Sequence, residues 1–249
     1  MMGELKVPVL CYHRIADLAD ADPLRPFSVT PWAFARQIAW LAARGYRTMD
    51  LAGAVAAPGA ADSRCVILTF DDGYLEHYEL VFPLLARYGF RATFFLVSGW
   101  LGQGDRSPHP PVSLLSPSCI LEMSRSGMVF GAHSRTHRRL AGLAPPEAWD
   151  EVAGSKEDLE RVLGLSVSAF AYPFGVLDRG VRQVVAACGY EVAVAVNNGT
   201  DDPLAMRRIV LGAGDSLLTF VWKVWDRPVR LRRRASLWWR SFRGGRDDA

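Results

Sequence analysis

The sequence has no run of eighteen uninterrupted apolar residues, the length a helix needs to cross a bilayer, and so predicts no transmembrane helix. Its opening, Met1-Met2-Gly3-Glu4-Leu5-Lys6-Val7-Pro8, lacks the basic start, long apolar stretch and small-residue cleavage site of a secretory signal. A cytoplasmic protein is the expectation that follows. Cysteine is scarce: Cys11, Cys65, Cys119 and Cys188 are scattered with no Cys-x-x-Cys pair, which argues against a disulfide framework and reads as buried reduced thiols. No histidine follows His137, and no internal repeat is present. The net charge of +3 is small and uneven: residues 226–249 hold eight arginines and three aspartates, which leaves the body near −2. A near-neutral body argues against a nucleic-acid-binding core.

What is there suits one large domain. Half of the 249 residues are hydrophobic, enough for a sizeable core, and α/β barrels reach this length as a single unit. Residues 1–226 are expected to form that domain, and residues 227–249 a basic, Trp-containing tail. A first strand over residues 7–12 ends at His13-Arg14. Thr30 then caps a helix with Pro31 in its first turn and Phe34, Ile38 and Leu41 on one face. A short strand over 46–49 and a short helix capped by Asp50 follow. The strand ending at Asp71-Asp72 leads into a helix over 74–88, which Pro83 should bend or break. Strands over 92–97, 128–132, 169–172, 191–196 and 207–211 alternate with helices over 117–126, 145–163 and 178–188, and with a last one capped by Asp215. A loop rich in Gly and Pro spans 98–117. Alternation on this scale, about seven βα units, predicts a parallel, closed or nearly closed barrel.

The chain is organised around Cys65-Val66-Ile67-Leu68-Thr69-Phe70-Asp71-Asp72-Gly73-Tyr74. An apolar, β-branched run reads as a buried strand, and it delivers two adjacent carboxylates to the strand end where barrel chemistry sits. Side-by-side like charges are costly unless a cation shares them; the plain alternative is an Asp-Gly turn. His133 and His137 lie four apart after another predicted strand, a spacing that lets both imidazoles reach one metal, although two loop histidines would read the same way. One carboxylate and two imidazoles make a three-ligand set with a position left open for water. Ala171-Tyr172-Pro173-Phe174-Gly175 forms a tight turn at a third strand end.

Thr69-Phe70-Asp71-Asp72-Gly73, His133-Ser134-Arg135-Thr136-His137 and Tyr172-Pro173-Phe174-Gly175 resemble, in order and spacing, the first three motifs of the polysaccharide deacetylases, the NodB-homology or carbohydrate esterase family 4 domain. The resemblance covers about residues 5–225. Val9-Leu10-Cys11-Tyr12-His13-Arg14-Ile15 is further similar to the subgroup that deacetylates poly-N-acetylglucosamine exopolysaccharide. What the resemblance implies is a distorted (β/α)7 barrel and metal-dependent removal of an N-acetyl group from an amino-sugar glycan. Asp72, His133 and His137 would bind the metal, usually zinc, and Asp71 would be the general base. The metal and a backbone N–H after Pro173, that of Phe174, would hold the oxyanion, with Tyr172 and Tyr74 also placed on the substrate side.

Two departures stand out. The family's late Leu-x-His is absent, which makes His13 the candidate acid, the alternative being a strand-end histidine bonded to backbone. Ala171 stands where many members carry an arginine that pairs with the base; Arg208 or Arg14 is the candidate replacement. His77 reads as a surface or site-supporting residue and His109 as solvated. Trp32, Trp40 and Trp222 read as core, while Trp100 and Tyr74 are candidates to stack on a sugar. The tail, with Arg227, Arg230, Arg232, Arg233, Arg234, Trp238, Trp239 and Phe242, suits the anionic surface of a membrane, or a solubilising extension. Competing functions are a metal-dependent hydrolase of a non-sugar amide or ester, and a glycan-binding module without turnover. A haloacid-dehalogenase-type phosphatase is disfavoured, because it needs Asp-x-Asp after its strand.

Overall fold

The structure, a computed structural model, describes residues 7–56, 64–101 and 112–225. The basic tail, His109 and part of the 98–117 loop lie outside the described residues. The elements run β1 (Val9–Tyr12), α1 (Pro31–Ala43), β2 (Arg47–Thr48), α2 (Leu51–Ala56), β3 (Cys65–Phe70), α3 (Phe82–Arg87), β4 (Thr93–Leu96), α4 (Pro117–Arg125) and β5 (Val129–Ala132). They continue with α5 (Pro145–Leu163), β6 (Ala169–Ala171), α6 (Arg179–Ala187), β7 (Val192–Ala195), β8 (Met206–Arg207), β9 (Ile209–Val210) and α7 (Leu217–Trp225). Among the described residues no helix is long and apolar enough to cross a membrane.

The strands form one parallel sheet in the order β8-β7-β6-β5-β4-β3-β1-β9, with β2 on the first residues of β3. The strand expected over 207–211 is two short ones, divided at Arg208. β8 pairs with β7 and β9 pairs with β1, so a single segment joins both edges of the sheet into a nearly closed barrel. The division has a physical cause: a strand that must serve two edges turns between them, and Arg208 is the residue at the turn.

Strand alternation separates two apolar layers. Val9, Ile67, Phe95, Ala169, Ala171, Val192, Val194 and Met206 pack together inside the barrel with Leu51 and Ala54 of α2. Leu10, Tyr12, Leu68, Phe70, Phe94, Phe130, Phe170 and Tyr172 pack outward against the helices. Inside, Phe95 fills the space opposite Gly131, where an added Cβ would lie 2.5 Å from the Phe95 ring. The interior therefore holds an apolar floor, and at the carboxyl ends of the strands it turns polar.

The helices begin where their caps are. Thr30, Ser116 and Asp178 accept from the backbone N–H of Ala33, Cys119 and Val181, as N-caps do. α7 is the exception to the expected pattern: Ser216 accepts from Thr219 N–H, whereas Asp215 pairs with Lys223 and accepts from Gly212 N–H. Pro83 does not break its helix. A π-helical turn over His77–Val81, in which Phe82 N–H donates to the His77 carbonyl, runs directly into α3, and the helical run continues through Pro83 with that change of hydrogen-bond register. Of the tryptophans read as core, Trp40 packs edge-on against Phe220. Trp32 and Trp222 are instead 68% and 52% exposed, so helical spacing alone did not place them inside.

Candidate active site and metal centre

β1 and β3 run in register, with Cys11 opposite Thr69 and Tyr12 opposite Phe70. The next inward residues, His13 and Asp71, face each other, with His13 Nε2 3.8 Å from Asp71 Oδ2. Asp71 is buried, and Arg208 forks onto it: Nη1 donates to Oδ1 and Nη2 to Oδ2, each at 2.6 Å. Burial alone would raise the Asp71 carboxyl; the Arg208 guanidinium bonded to both of its oxygens outweighs it and holds the group well below the usual carboxylate range. The partner missing from the third motif is thus Arg208, delivered by the turn that divides the last strand. Arg14 points elsewhere, pairing with Glu76 and lying 4.7 Å over the Tyr74 ring.

Asp72 turns the other way. Its φ of 74° puts it in the left-handed region, where non-glycine residues are uncommon, and Ser134, His137 and Phe174 share that conformation at 63°, 60° and 59°. All four positive-φ side-chain residues among those described belong to the three motifs, which is where strained backbone tends to collect. Asp72 Oδ1 lies 3.6 Å from His133 Nε2 and 3.4 Å from His137 Nε2, and one donor atom from each residue lies within 4.8 Å of the others. Three features fit a cation here. Asp72 Oδ1 is buried and has no hydrogen-bond partner, a costly condition unless something else takes its lone pair. His133 Nδ1 bonds the Ala171 carbonyl at 2.7 Å, which makes Nδ1 the protonated nitrogen and leaves Nε2 a lone pair facing the cluster. Burial pulls the His137 pKa down to about 4, so at neutral pH it is the neutral imidazole that a metal takes.

α5 holds this loop from behind. Glu151, buried on its inner face, accepts from Arg135 N–H at 3.0 Å, from Thr136 N–H at 2.9 Å and from the Thr136 hydroxyl. Gly99 lies so close that an added Cβ would stand 2.5 Å from the Arg135 carbonyl oxygen. The His137 ring sits between Trp100, at 5.3 Å, and Phe174, at 4.9 Å. Phe174 is 44% exposed and stands at the mouth; Trp100 is buried and serves His137 rather than an open platform.

Two residues expected on the substrate side are not there. Tyr172 follows the outward parity of β6: its ring packs against Phe170 in the outer layer, and its hydroxyl donates to the Leu204 carbonyl at 2.8 Å. Tyr74 is buried with Arg14 over its ring, so no face is open for stacking. Burial first, and Asp72 second, push its hydroxyl well up in pKa. His77 is fully buried rather than on the surface, and its Nε2 donates to the His13 carbonyl at 2.7 Å. Glu151 and Cys11 carried no sequence signal strong enough to single out. Glu151 is an acid within the buried stripe of Ala148, Val152 and Ser155, which marks a clamp only once its partners are known.

A model of the polysaccharide deacetylase family matches residues 59–193, more than half of the chain and all three of its motifs in full. The chain belongs to the polysaccharide deacetylase family. Within it, the chain is 27% identical to the Bacillus subtilis protein YxkH over 197 residues, 78% of this chain and 66% of YxkH's length. It is 24% identical over 242 residues to the poly-β-1,6-N-acetyl-D-glucosamine N-deacetylase of Staphylococcus epidermidis, covering 87% of this chain and 82% of that one. Its fold is similar to that of the Streptococcus pyogenes deacetylase PplD, solved in complex with acetate, at a TM-score of 0.79 and 25% identity over 89% of this chain and 99% of that one.

Proposed function

We propose that the chain is a metal-dependent hydrolase that removes N-acetyl groups from N-acetylglucosamine-type sugars in a polysaccharide or oligosaccharide. The observation that carries this reading is the pairing of an ionised, Arg208-held Asp71 with the partnerless Asp72 Oδ1 and two imidazoles, on adjacent residues of one strand end. Membership of the family and the poly-N-acetylglucosamine deacetylase among its relatives support the substrate class.

A divalent cation held by Asp72, His133 and His137, zinc foremost, would supply Lewis acidity and an acidified water at neutral pH. The chain's own groups do the rest. Asp71 takes the proton of the attacking water; its fork to Arg208 keeps it ionised and aimed, at the expense of base strength. His13, on the opposite side of Asp71 and one-fifth exposed, gives a proton to the leaving nitrogen. Burial lowers its pKa against the pull of Asp71 and Asp72, which makes the imidazolium a stronger donor while reducing the fraction protonated at neutral pH. The Phe174 backbone N–H, at a left-handed turn beside His137, is assigned to the oxyanion.

Acetate release from β-1,4- and β-1,6-linked N-acetylglucosamine oligomers tests the reading. Asp71→Asn should lower kcat by about 10²–10⁴-fold with bound metal retained, and His13→Ala by a comparable factor. No release by zinc-loaded wild type would shift the reading to a non-sugar amide or ester, or to a binding module.

Contact with an anionic membrane surface belongs to the same proposal. On α7, Leu218, Trp222 and Trp225 are 82%, 52% and 59% exposed, at a spacing that sets them on one face, and the arginine-rich residues 227–249 follow directly. Flotation with phosphatidylglycerol vesicles should fall on truncation at Asp226 and fall again with Trp222→Ser. Equal flotation of all three proteins would remove membrane contact from the reading.

A further inference from the structure

The geometry points to a second cation site beside the first, built by Cys11, His13 and Asp71 and selective for thiophilic divalent metals such as cadmium or excess zinc. Parity and register put the three groups together: Val9 and Cys11 are inward residues of β1, His13 continues that parity just past its end, and Asp71 extends β3 opposite them. Cys11 Sγ lies 3.6 Å from Asp71 Oδ2 and 4.0 Å from His13 Nδ1, and Asp71 Oδ2 lies 3.8 Å from His13 Nε2. One donor atom from each falls within 4.8 Å of the others. A tetrahedral zinc with bonds of ~2.0–2.3 Å spaces its ligand atoms by about 3.3–3.6 Å, so the set, with a single His13 nitrogen, draws in from within 4.8 Å to close a site.

The chemistry of the set differs from that of the first. A thiolate is the softest ligand a protein offers and selects zinc and its heavier relatives over magnesium or calcium. On binding, the Cys11 thiol gives its proton to solvent, and the sulfur's electron pair goes to the metal. Asp71 Oδ2 accepts from Arg208 Nη2 and from the Cys11 S–H, and loss of the thiol proton frees its second lone pair for the metal. The neighbouring guanidinium repels a cation, whereas Asp72 Oδ1 at the first site has no competing partner. The Cys11 site therefore fills second, at higher metal. Once filled, it occupies both Asp71 and His13. On the deacetylase reading above, that makes it inhibitory; the binding itself does not depend on that reading.

Full-length protein carrying Cys119→Ser and Cys188→Ser, stripped of metal, would be titrated with cadmium while the thiolate-to-cadmium ultraviolet band and the bound stoichiometry are followed. Two equivalents are expected, with the band growing as the second binds. Cys11→Ser should abolish the band and leave one equivalent, with the second weakened by at least the ~10–100-fold that loss of an outer partner costs. His137→Ala should instead lose the first equivalent and keep the band. Zinc above one equivalent should inhibit acetate release in the parent protein and not in Cys11→Ser, each measured against its own uninhibited rate. A band unchanged by Cys11→Ser, or no band in the parent, would overturn the site. Cys11→Ala, checked by its melting curve, covers the case in which serine disturbs the fold. If no acetate is released by any protein, the titration still decides the site.

Discussion

Arg208 is buried, and both of its terminal nitrogens bond one carboxylate at 2.6 Å each, with Nη1 also donating to Thr69 Oγ1 at 3.2 Å. A pair of this kind contributes little net stability, because taking two charges out of water offsets their attraction, yet removing one partner is severe. Arg208→Met should thus destabilise the protein by about 3–5 kcal/mol in urea unfolding, by leaving Asp71 charged and unpaired. Adding Asp71→Leu to Arg208→Met should recover most of that loss, which separates a stranded charge from a packing defect. Arg208→Lys keeps the charge but not the fork. It should retain most of the stability and lose kcat rather than KM, since a single ammonium cannot hold both oxygens in position. A purely structural Arg208 would give the reverse: stability lost with Arg208→Lys, and kcat unchanged in what remains folded.

At the scale of elements, Glu151 shows how the helix that follows a loop sets that loop's geometry. One carboxylate takes three donors from Arg135 and Thr136, midway between His133 and His137. Glu151→Gln turns one acceptor into a donor, which should cost about 1–3 kcal/mol and, by loosening the loop, weaken metal binding by ~10–100-fold. Chelator competition against the variant measures the second effect; unchanged metal affinity would mean that the loop holds itself. The sequence carried the parts of this arrangement unequally. Caps and stops such as Thr30, Asp178 and Gly164 were legible, because they act on residues a few positions away. The motifs were legible because each lies at the end of its own strand. Contacts between elements were not: Glu151 reaches back to Arg135, and Tyr172 faces outward because β6 ends on that parity. The last strand read as one element, since no local signal marks a segment that must serve two edges of a sheet. Arg208 was named as a candidate beside Arg14, and only closure of the barrel separates them.

For the whole molecule, the consequence is that stability and site share the same buried groups. His77 shows it away from the metal ligands: fully buried between Phe70, Tyr74 and Phe94, it holds the His13 carbonyl. Burial lowers its pKa below the usual imidazole value, against the pull of Glu76. The sign follows from linkage. Below about pH 6.5 the unfolded chain takes up a proton on this residue and the folded chain does not, so the contribution is whole above that pH and is lost as pH falls. While the folded residue stays neutral, the loss is about 1.4 kcal/mol per pH unit. His77→Gln keeps a donor near the His13 carbonyl and removes the titration. Unfolding free energies between pH 7.5 and pH 5 should fall less steeply for His77→Gln than for wild type by up to that slope, in chelator-stripped and metal-loaded protein alike. Equal slopes would mean that His77 is protonated as readily folded as unfolded, and the barrel end would have to open to water there. A difference confined to the stripped protein would tie His77 to the metal cluster rather than to the packing of β1 against the first helical turn after Asp72.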